Sequence, residues 1–302
     1  MYITAKEASA KWGISDRRIR AMCVAGKVPG AYREGRSWKI PDNIGKPIDG
    51  RYKSAANLLE VIADKRRELE LKRPFTEGEV TRMMDEFMVE YTYNSNAIEG
   101  NTLTLRETYM VLRGITIDQK PLREHLEAVG HRDAFEYMME LVKDNVPLTE
   151  NIINQIHYLV LADKKEDRGI YRKIPVQIVG AKTMPVQPYL IKPRMEQLLS
   201  QYNESNEQLI PKLARLHLEF ESIHPYVDGN GRTGRLLVNF ELMKAGYPPI
   251  DIKFTDRAKY YNTFDGYYTK NDITAMENLF AEYVNERLDT YLSILEEDKA
   301  NE

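Results

Sequence analysis

Cysteine is nearly absent: Cys23 is the one thiol in 302 residues. A single cysteine excludes an intrachain disulfide framework. Long hydrophobic runs are missing as well, and no stretch is apolar enough to span a membrane. The opening residues, MYITAKEASAKWG, do not read as a signal peptide. There are no internal repeats and no low-complexity tracts. His125, His131, His157 and His217 lack metal-ligand spacing and fall in helical patterns, so they read as packing or surface positions. What remains is a cytoplasmic chain with no membrane partner, long enough for two or three domains and a real core.

Charge is present in quantity but unevenly placed. Residues 1–53 hold 12 Lys+Arg against 5 Asp+Glu, and the rest of the chain holds 31 against 41. A basic arm on an acidic body suggests a polyanion-binding module. The order of elements fits: TAKEASAKWG reads as a short helix ending at Gly13, and ISDRRIRAMCVAGK as a second helix capped by Ser15 and closed by Gly26. VPGAYREGRSWKIP then reads as two strands turning at Glu34-Gly35. The arrangement resembles a small winged helix-turn-helix of the MerR or excisionase type. That resemblance implies duplex DNA as a partner, with Arg17, Arg18 and Arg20 opening the recognition helix and Arg33, Arg36 and Lys39 reaching phosphates. A helical protein-docking module with a solvated basic face is the other reading. GKPIDGRYK at 45–53 reads as a linker.

The most informative run is His-Pro-Tyr-Val-Asp-Gly-Asn-Gly-Arg-Thr-Gly-Arg at 224–235. His224 can take a proton and Asp228 can hold a hard cation such as Mg²⁺. The Gly229-Asn230-Gly231 turn precedes a helix-like stretch, and so offers bare backbone N–H groups to an anion. Arg232 and Arg235 carry charge suited to phosphate oxygens. Nucleotide-phosphate chemistry is the natural inference. A helical stripe of Leu213, Leu216, Phe220 and Ile223 leads into His224, and residues 150–162 read as helical too.

This run resembles the signature of the Fic family, His-Pro-Phe-x-Asp-Gly-Asn-Gly-Arg-x-x-Arg, with Tyr226 in place of the usual Phe. The resemblance implies transfer of AMP from ATP to a Ser, Thr or Tyr hydroxyl of a protein, with His224 as base and Asp228 holding Mg²⁺ on the α- and β-phosphates. Gly229, Asn230, Gly231, Arg232, Thr233, Gly234 and Arg235 would bind the phosphates, Arg235 at the γ end. The unaltered Asn230-Gly231-Arg232 argues for AMP rather than phosphate transfer. The fold implied is mainly α: a Fic-type helical bundle with a β-hairpin flap, preceded by the winged helix-turn-helix. The expected divisions are 1–50 for the small module, 51–145 for a helical region, 146–250 for the Fic core and 251–302 for carboxy-terminal helices.

Two further segments join the resemblance. Val80, Met83, Met84, Phe87, Met88 and Tyr91 form a helical stripe running into Ser95-Asn96-Ala97-Ile98-Glu99-Gly100. Ser95 and Glu99 share a face if helical, and Gly100 is a natural stop. This is similar to the inhibitory motif of Fic proteins, in which the glutamate, here Glu99, pairs with the second signature arginine, here Arg235. The other segment, GIYRKIPVQIVG at 169–180, favours a strand and a turn. In the family it would be the flap, with Tyr171, Arg172, Val176, Gln177, Ile178 and Val179 docking the target by strand addition. Tyr260 and Tyr261 read either as aromatic packing or, by resemblance, as part of an adenine pocket. Relatives often pair, so a second copy of the chain is a further partner, and self-modification a further outcome. Two other functions stay open: a DNA-binding regulator that senses nucleotide, and an enzyme that removes AMP.

Overall fold

The computed structural model describes residues 2–12, 16–24, 28, 30–35, 37–41, 55–177 and 184–300. The chain divides into two compact units, Met1–Ser54 and Ala55–Glu302.

In the first unit, β1 (Tyr2–Thr4) leads into α1 (Ala5–Trp12) and α2 (Asp16–Val24), followed by β2 (Tyr32–Glu34) and β3 (Ser37–Pro41). β3 is central in an antiparallel sheet of order β1-β3-β2. Gly35 turns the β2–β3 hairpin at φ +60°, a region that glycine enters without steric cost. Ala5, Ala8, Ile19, Cys23, Val28 and Ile40 form the core of this unit. Two helices and a hairpin are the elements expected, and β1 is an addition. Three residues are too few to display a period of two, and β1 is defined by pairing, with Ile3 opposite Ile40.

The second unit is helical. Its elements are α3 (Ala55–Leu71), α4 (Glu77–Ile98), α5 (Leu105–Leu112), α6 (Leu122–Lys143), α7 (Glu150–Val160), α8 (Ile191–Glu204), α9 (Leu209–Ile223), α10 (Asn230–Lys244), α11 (Arg257–Lys270) and α12 (Thr274–Ala300). Local chemistry sets several starts. Thr76 and Glu79 form a reciprocal capping box at α4, and Thr104 and Glu107 do the same at α5. Each such cap contributes about 1 kcal/mol. α10 is the central helix, packed against α4, α6, α7 and α9. Leu236, Leu237, Val238, Phe240 and Leu242 on it are all buried. Burial of each such side chain stabilises by roughly 1.5–3 kcal/mol, so the start of α10 is held rigidly from behind. No helix among the described residues is long and apolar enough to cross a membrane.

One expectation is not met. Among the described residues of the second unit there is no strand. Residues 170–177 run as irregular chain, so Val176 and Gln177 are not in a β-ladder. Pro175 has no N–H to offer a ladder, and the nearby Ile174 carbonyl accepts from the Arg172 guanidinium. Ile178 and Val179 lie outside the described residues, as do Gly13, Ser15, Gly26 and the linker at 45–53.

Candidate functional site

The signature residues form the loop between α9 and α10. α9 ends at His224, whose N–H donates to the Phe220 carbonyl at 2.9 Å and whose backbone is left-handed at φ 50°. A non-glycine residue held there costs about 1 kcal/mol or more. Gly229, also left-handed at φ 75°, caps α10. Between them the loop is pinned by Asn230, whose Oδ1 accepts from Tyr226 N–H at 3.0 Å and whose Nδ2 donates to the Tyr226 carbonyl at 2.9 Å. Tyr226 is buried and stacks on His157, with ring centroids 3.6 Å apart and planes 4° from parallel. Its hydroxyl donates to Asn154 Oδ1 at 2.7 Å, so the tyrosine in place of phenylalanine gains a specific partner.

His157 holds the other side of the loop. Its Nδ1 accepts from Gly169 N–H at 2.9 Å, which leaves the proton on Nε2 to be donated to the Asp228 carbonyl at 2.9 Å. Burial lowers its pKa to about 4, so it stays neutral and keeps that tautomer at neutral pH.

The charged groups divide the site into two ends. At one, burial first and the Arg172 charge second lower the pKa of His224 to about 4. The imidazole is therefore a free base at neutral pH. Its Nδ1 sits 3.8 Å from Glu221 Oε2 and makes no hydrogen bond of ordinary geometry. Asp228, nearby in the loop, is ionised. Burial works against its charge, but Arg232 and Lys164 keep it below the usual carboxylate range. Lys164 Nζ donates to Asp228 Oδ2 at 2.5 Å, Gly229 N–H to Oδ1 at 2.6 Å and Arg232 Nη2 to Oδ1 at 3.4 Å. Arg232 is almost wholly buried; its Nε has no hydrogen-bond acceptor, and its Nη1 faces Glu127 Oε1 at 3.9 Å, too far for a hydrogen bond.

At the other end, Arg235 donates through Nη2 to Glu99 Oε1 at 2.9 Å and to the Ser95 carbonyl at 2.8 Å. Its Nε donates to Ser95 Oγ at 3.1 Å, and its Nη1 to the Tyr260 hydroxyl at 3.3 Å. Ser95 lies in the last turns of α4 and Glu99 caps its end, so one helix terminus presents both to Arg235. Glu99 also lies against Gly231: a Cβ built there would meet Glu99 Oε1 at 2.2 Å. The absence of a side chain at Gly231 thus lets a carboxylate come down on the first turn of α10, where backbone N–H groups are free to meet an anion.

The structure therefore brings His224, Asp228, Gly229, Asn230, Gly231, Arg232, Arg235, Ser95 and Glu99 into one place. Thr233 and Gly234 lie a turn further along α10. Thr233 is fully buried, and Gly234 packs against His217 and Glu221. Gly100 takes φ +97°, past the end of α4. Tyr260 differs from the adenine-pocket expectation. It is 1% exposed, with its hydroxyl 2.8 Å from His217 Nε2, and it backs Arg235 rather than offering a ring face to a base. Tyr261 is 40% exposed, its hydroxyl 3.5 Å from Glu99 Oε2. Of the expected flap residues, Arg172 is buried, Tyr171 half-buried and Gln177 exposed. In the first unit Arg20 pairs with Asp16 and Lys39 with Glu34, and Arg33 is exposed. The side chains of Arg17 and Arg18, and all of Arg36, lie outside the described residues.

Sequence reasoning missed Lys164, Asn154, Glu221 and the polar role of His157. Glu221 is buried, and burial with the Glu99 charge raises its pKa to about 8. Glu221 lies one helical turn before His224, which is the one local signal that could have found it.

A buried helix start with an anion-ready first turn, flanked by a neutral histidine and an ionised aspartate, thus sits within an α-helical bundle. Comparison with known proteins shows what the chain is similar to. Residues 147–242 match the Fic/DOC family model, and the chain carries a Fic/DOC family domain. The chain is 34% identical over 218 residues to "Protein adenylyltransferase Fic" of Drosophila melanogaster, and equally so to that of Drosophila sechellia. Each alignment spans 71% of this chain but only 44% of the relative, so the chain matches less than half the length of these curated relatives. Among solved structures, a Fic domain containing signaling protein from Bacteroides thetaiotaomicron superposes with TM-score 0.72 at 27% identity, covering 79% of this chain and 98% of that one. Fic-1 from C. elegans gives 0.73 at 27% identity, covering 81% and 73%.

Proposed function

We propose that this chain is a self-inhibited protein adenylyltransferase, which transfers AMP from ATP to a Ser, Thr or Tyr hydroxyl of a target protein or of itself. The observation that carries the reading is the placement of Glu99. Its carboxylate occupies Arg235 and the first turn of α10, the position a terminal phosphate needs, while His224 stands neutral at the other end of the loop.

In this reading His224 takes the proton of the acceptor hydroxyl. The acceptor oxygen bonds to the α-phosphorus, the bond from that phosphorus to the bridging oxygen breaks, and pyrophosphate leaves. Such a displacement depends on positioning and charge neutralisation. The amides of Asn230 and Gly231 face the phosphates, with that of Gly229 held on Asp228 Oδ1, and Arg232, whose Nε has no hydrogen-bond acceptor and whose Nη1 meets only Glu127 Oε1 at 3.9 Å, supplies hydrogen bonds to phosphate oxygens. Arg235 receives the γ-phosphate once Glu99 has left. The residues present fit Mg²⁺: Asp228 is ionised and partly exposed, and Mg²⁺ is commonly held by one or two carboxylates with the remainder from phosphates and water. Held by Asp228 in place of Lys164, the ion would neutralise charge on the α- and β-phosphates. Tyr261, beside Glu99, is the exposed aromatic face available to the base. The first unit, with Arg20 and Arg33 exposed, is assigned to duplex DNA phosphates.

The test uses ATP labelled at the α-phosphate on three proteins: the parent, Glu99→Gly, and Glu99→Gly with His224→Ala. Strong labelling of protein by Glu99→Gly, weak labelling by the parent and none by the double variant are expected. No transfer by Glu99→Gly, with ATP still bound, would leave a nucleotide sensor. Release of AMP from labelled protein by the parent would identify Glu99 with the reverse reaction.

A further inference from the structure

We propose that Arg172 is the positioning residue for His224: its guanidinium and its own N–H hold the loop that aims the imidazole and join it to the chain on either side of residues 178–183. This rests on the reading of His224 as the base.

The side chain is 4% exposed. Nε donates to the His224 carbonyl at 2.7 Å, and Nη2 to the Ile223 carbonyl at 3.3 Å and the Val186 carbonyl at 2.5 Å. Nη1 donates to the Ile174 carbonyl at 3.1 Å. The backbone N–H of Arg172 donates to the Pro225 carbonyl at 2.9 Å. One residue thus grips the carbonyls of Ile223, His224 and Pro225 in succession.

Those carbonyls need a donor. They lie at the end of α9, where the helix leaves acceptors unsatisfied and its dipole is negative. Only arginine carries enough donors in one rigid plane to serve several at once. Lysine matches the charge but not the fork. His224 is the residue held in the left-handed region, so its orientation depends on outside contacts rather than on local preference. Freed of Arg172, its backbone relaxes and the ring moves. A displacement near 1 Å at a reacting group can cost on the order of 10²-fold in rate. Ile174 and Val186 are tied to the same guanidinium, so both are linked through it to the histidine.

Arg172→Lys and Arg172→Met, each made in the Glu99→Gly protein, test the assignment. Both should lose kcat on the order of 10²-fold, with ATP affinity by calorimetry changed less than about 2-fold, because Arg172 contacts no phosphate-binding residue. The acid limb of the pH profile should rise in Arg172→Met, which removes a charge that depresses the His224 pKa, and stay in place in Arg172→Lys. Full kcat in Arg172→Lys would overturn the proposal, as would a kcat loss equal to the loss of folded protein in either variant. If Glu99→Gly itself transfers no AMP, the proposed function fails, and the NMR chemical shift of the His224 imidazole at fixed neutral pH decides separately. A shifted resonance in Arg172→Lys supports positioning, and an unchanged one refutes it.

Discussion

Two buried arginines serve the two ends of the signature loop, and they are satisfied in opposite ways. Arg172, at the His224 end, donates to four backbone carbonyls. Arg235, at the far end, donates to a carbonyl, two hydroxyls and the Glu99 carboxylate, whose side chain is 33% exposed. Carbonyls move only with the chain. A half-exposed carboxylate on a rotatable side chain can withdraw and yield its place to another anion, with water receiving it. Residue type and burial are alike at the two ends, so the nature of the partner is what would separate a fixture from the switch proposed for Glu99. Arg235 also keeps Ser95 and Tyr260 when Glu99 leaves, which lowers the cost of opening.

The comparison is broken most directly by stability. Arg172→Met strips donors from buried carbonyls and should destabilise the second unit by about 3 kcal/mol, read from urea midpoints. Glu99→Gln, at a contact reached by solvent, should cost no more than about 1 kcal/mol while raising AMP transfer. Equal losses in the two variants would mean that Glu99 is as structural as Arg172, and the idea of a switch would fall. A smaller effect sharpens the contrast from a neutral contact. Tyr226→Phe leaves Asn154 Oδ1 without its donor and should cost about 1 kcal/mol, with little change in AMP transfer. A large loss of transfer there would show that the Tyr226–Asn154 hydrogen bond, and not Arg172 alone, aims the loop.

What the sequence made legible was chemistry written at fixed spacing. The signature and the Ser95–Glu99 spacing named residues that the fold does bring together, because each sits at a helix end whose stop or start signal is local: Gly100 after α4, and Gly229 before α10. The stripe from Leu213 to Ile223 placed His224 at a helix terminus for the same reason. Long-range partners were not legible. Lys164 meets Asp228 across 64 residues and Asn154 meets Tyr226 across 72, and no local pattern encodes either. Arg172 reads as part of a target-docking flap, whereas here the Ile223 and His224 carbonyls at the end of α9 hold its guanidinium inside. Tyr260 is open to two readings, packing and an adenine pocket, and the packing it makes depends on Arg235 and His217, both distant in sequence. The strand expected around Val176 is not formed through Gln177, where Pro175 offers no N–H, and the rest of it lies outside the described residues.

The smallest effect tests whether the two ends communicate. Glu221 lies 3.8 Å from His224 Nδ1, and it feels the charges of both Glu99 and Arg235. Its pKa is raised from 4.5 to about 8 by burial and then by Glu99, with Arg235 opposing. Between those values the folded state keeps a proton that the unfolded state releases. The stabilisation it brings is therefore complete below about pH 4.5 and is lost as pH rises through about 8. Glu221→Gln cannot ionise, so its melting temperature relative to the parent should climb between about pH 5 and pH 8.5. In the Glu99→Gly background one of the two raising influences is gone, and the climb should shrink. The same climb in both backgrounds would mean that Glu99 does not reach Glu221, and that opening the Arg235 end leaves the His224 end electrostatically untouched. A climb that shrinks with Glu99 removed would tie the switch to the base through one buried carboxyl group.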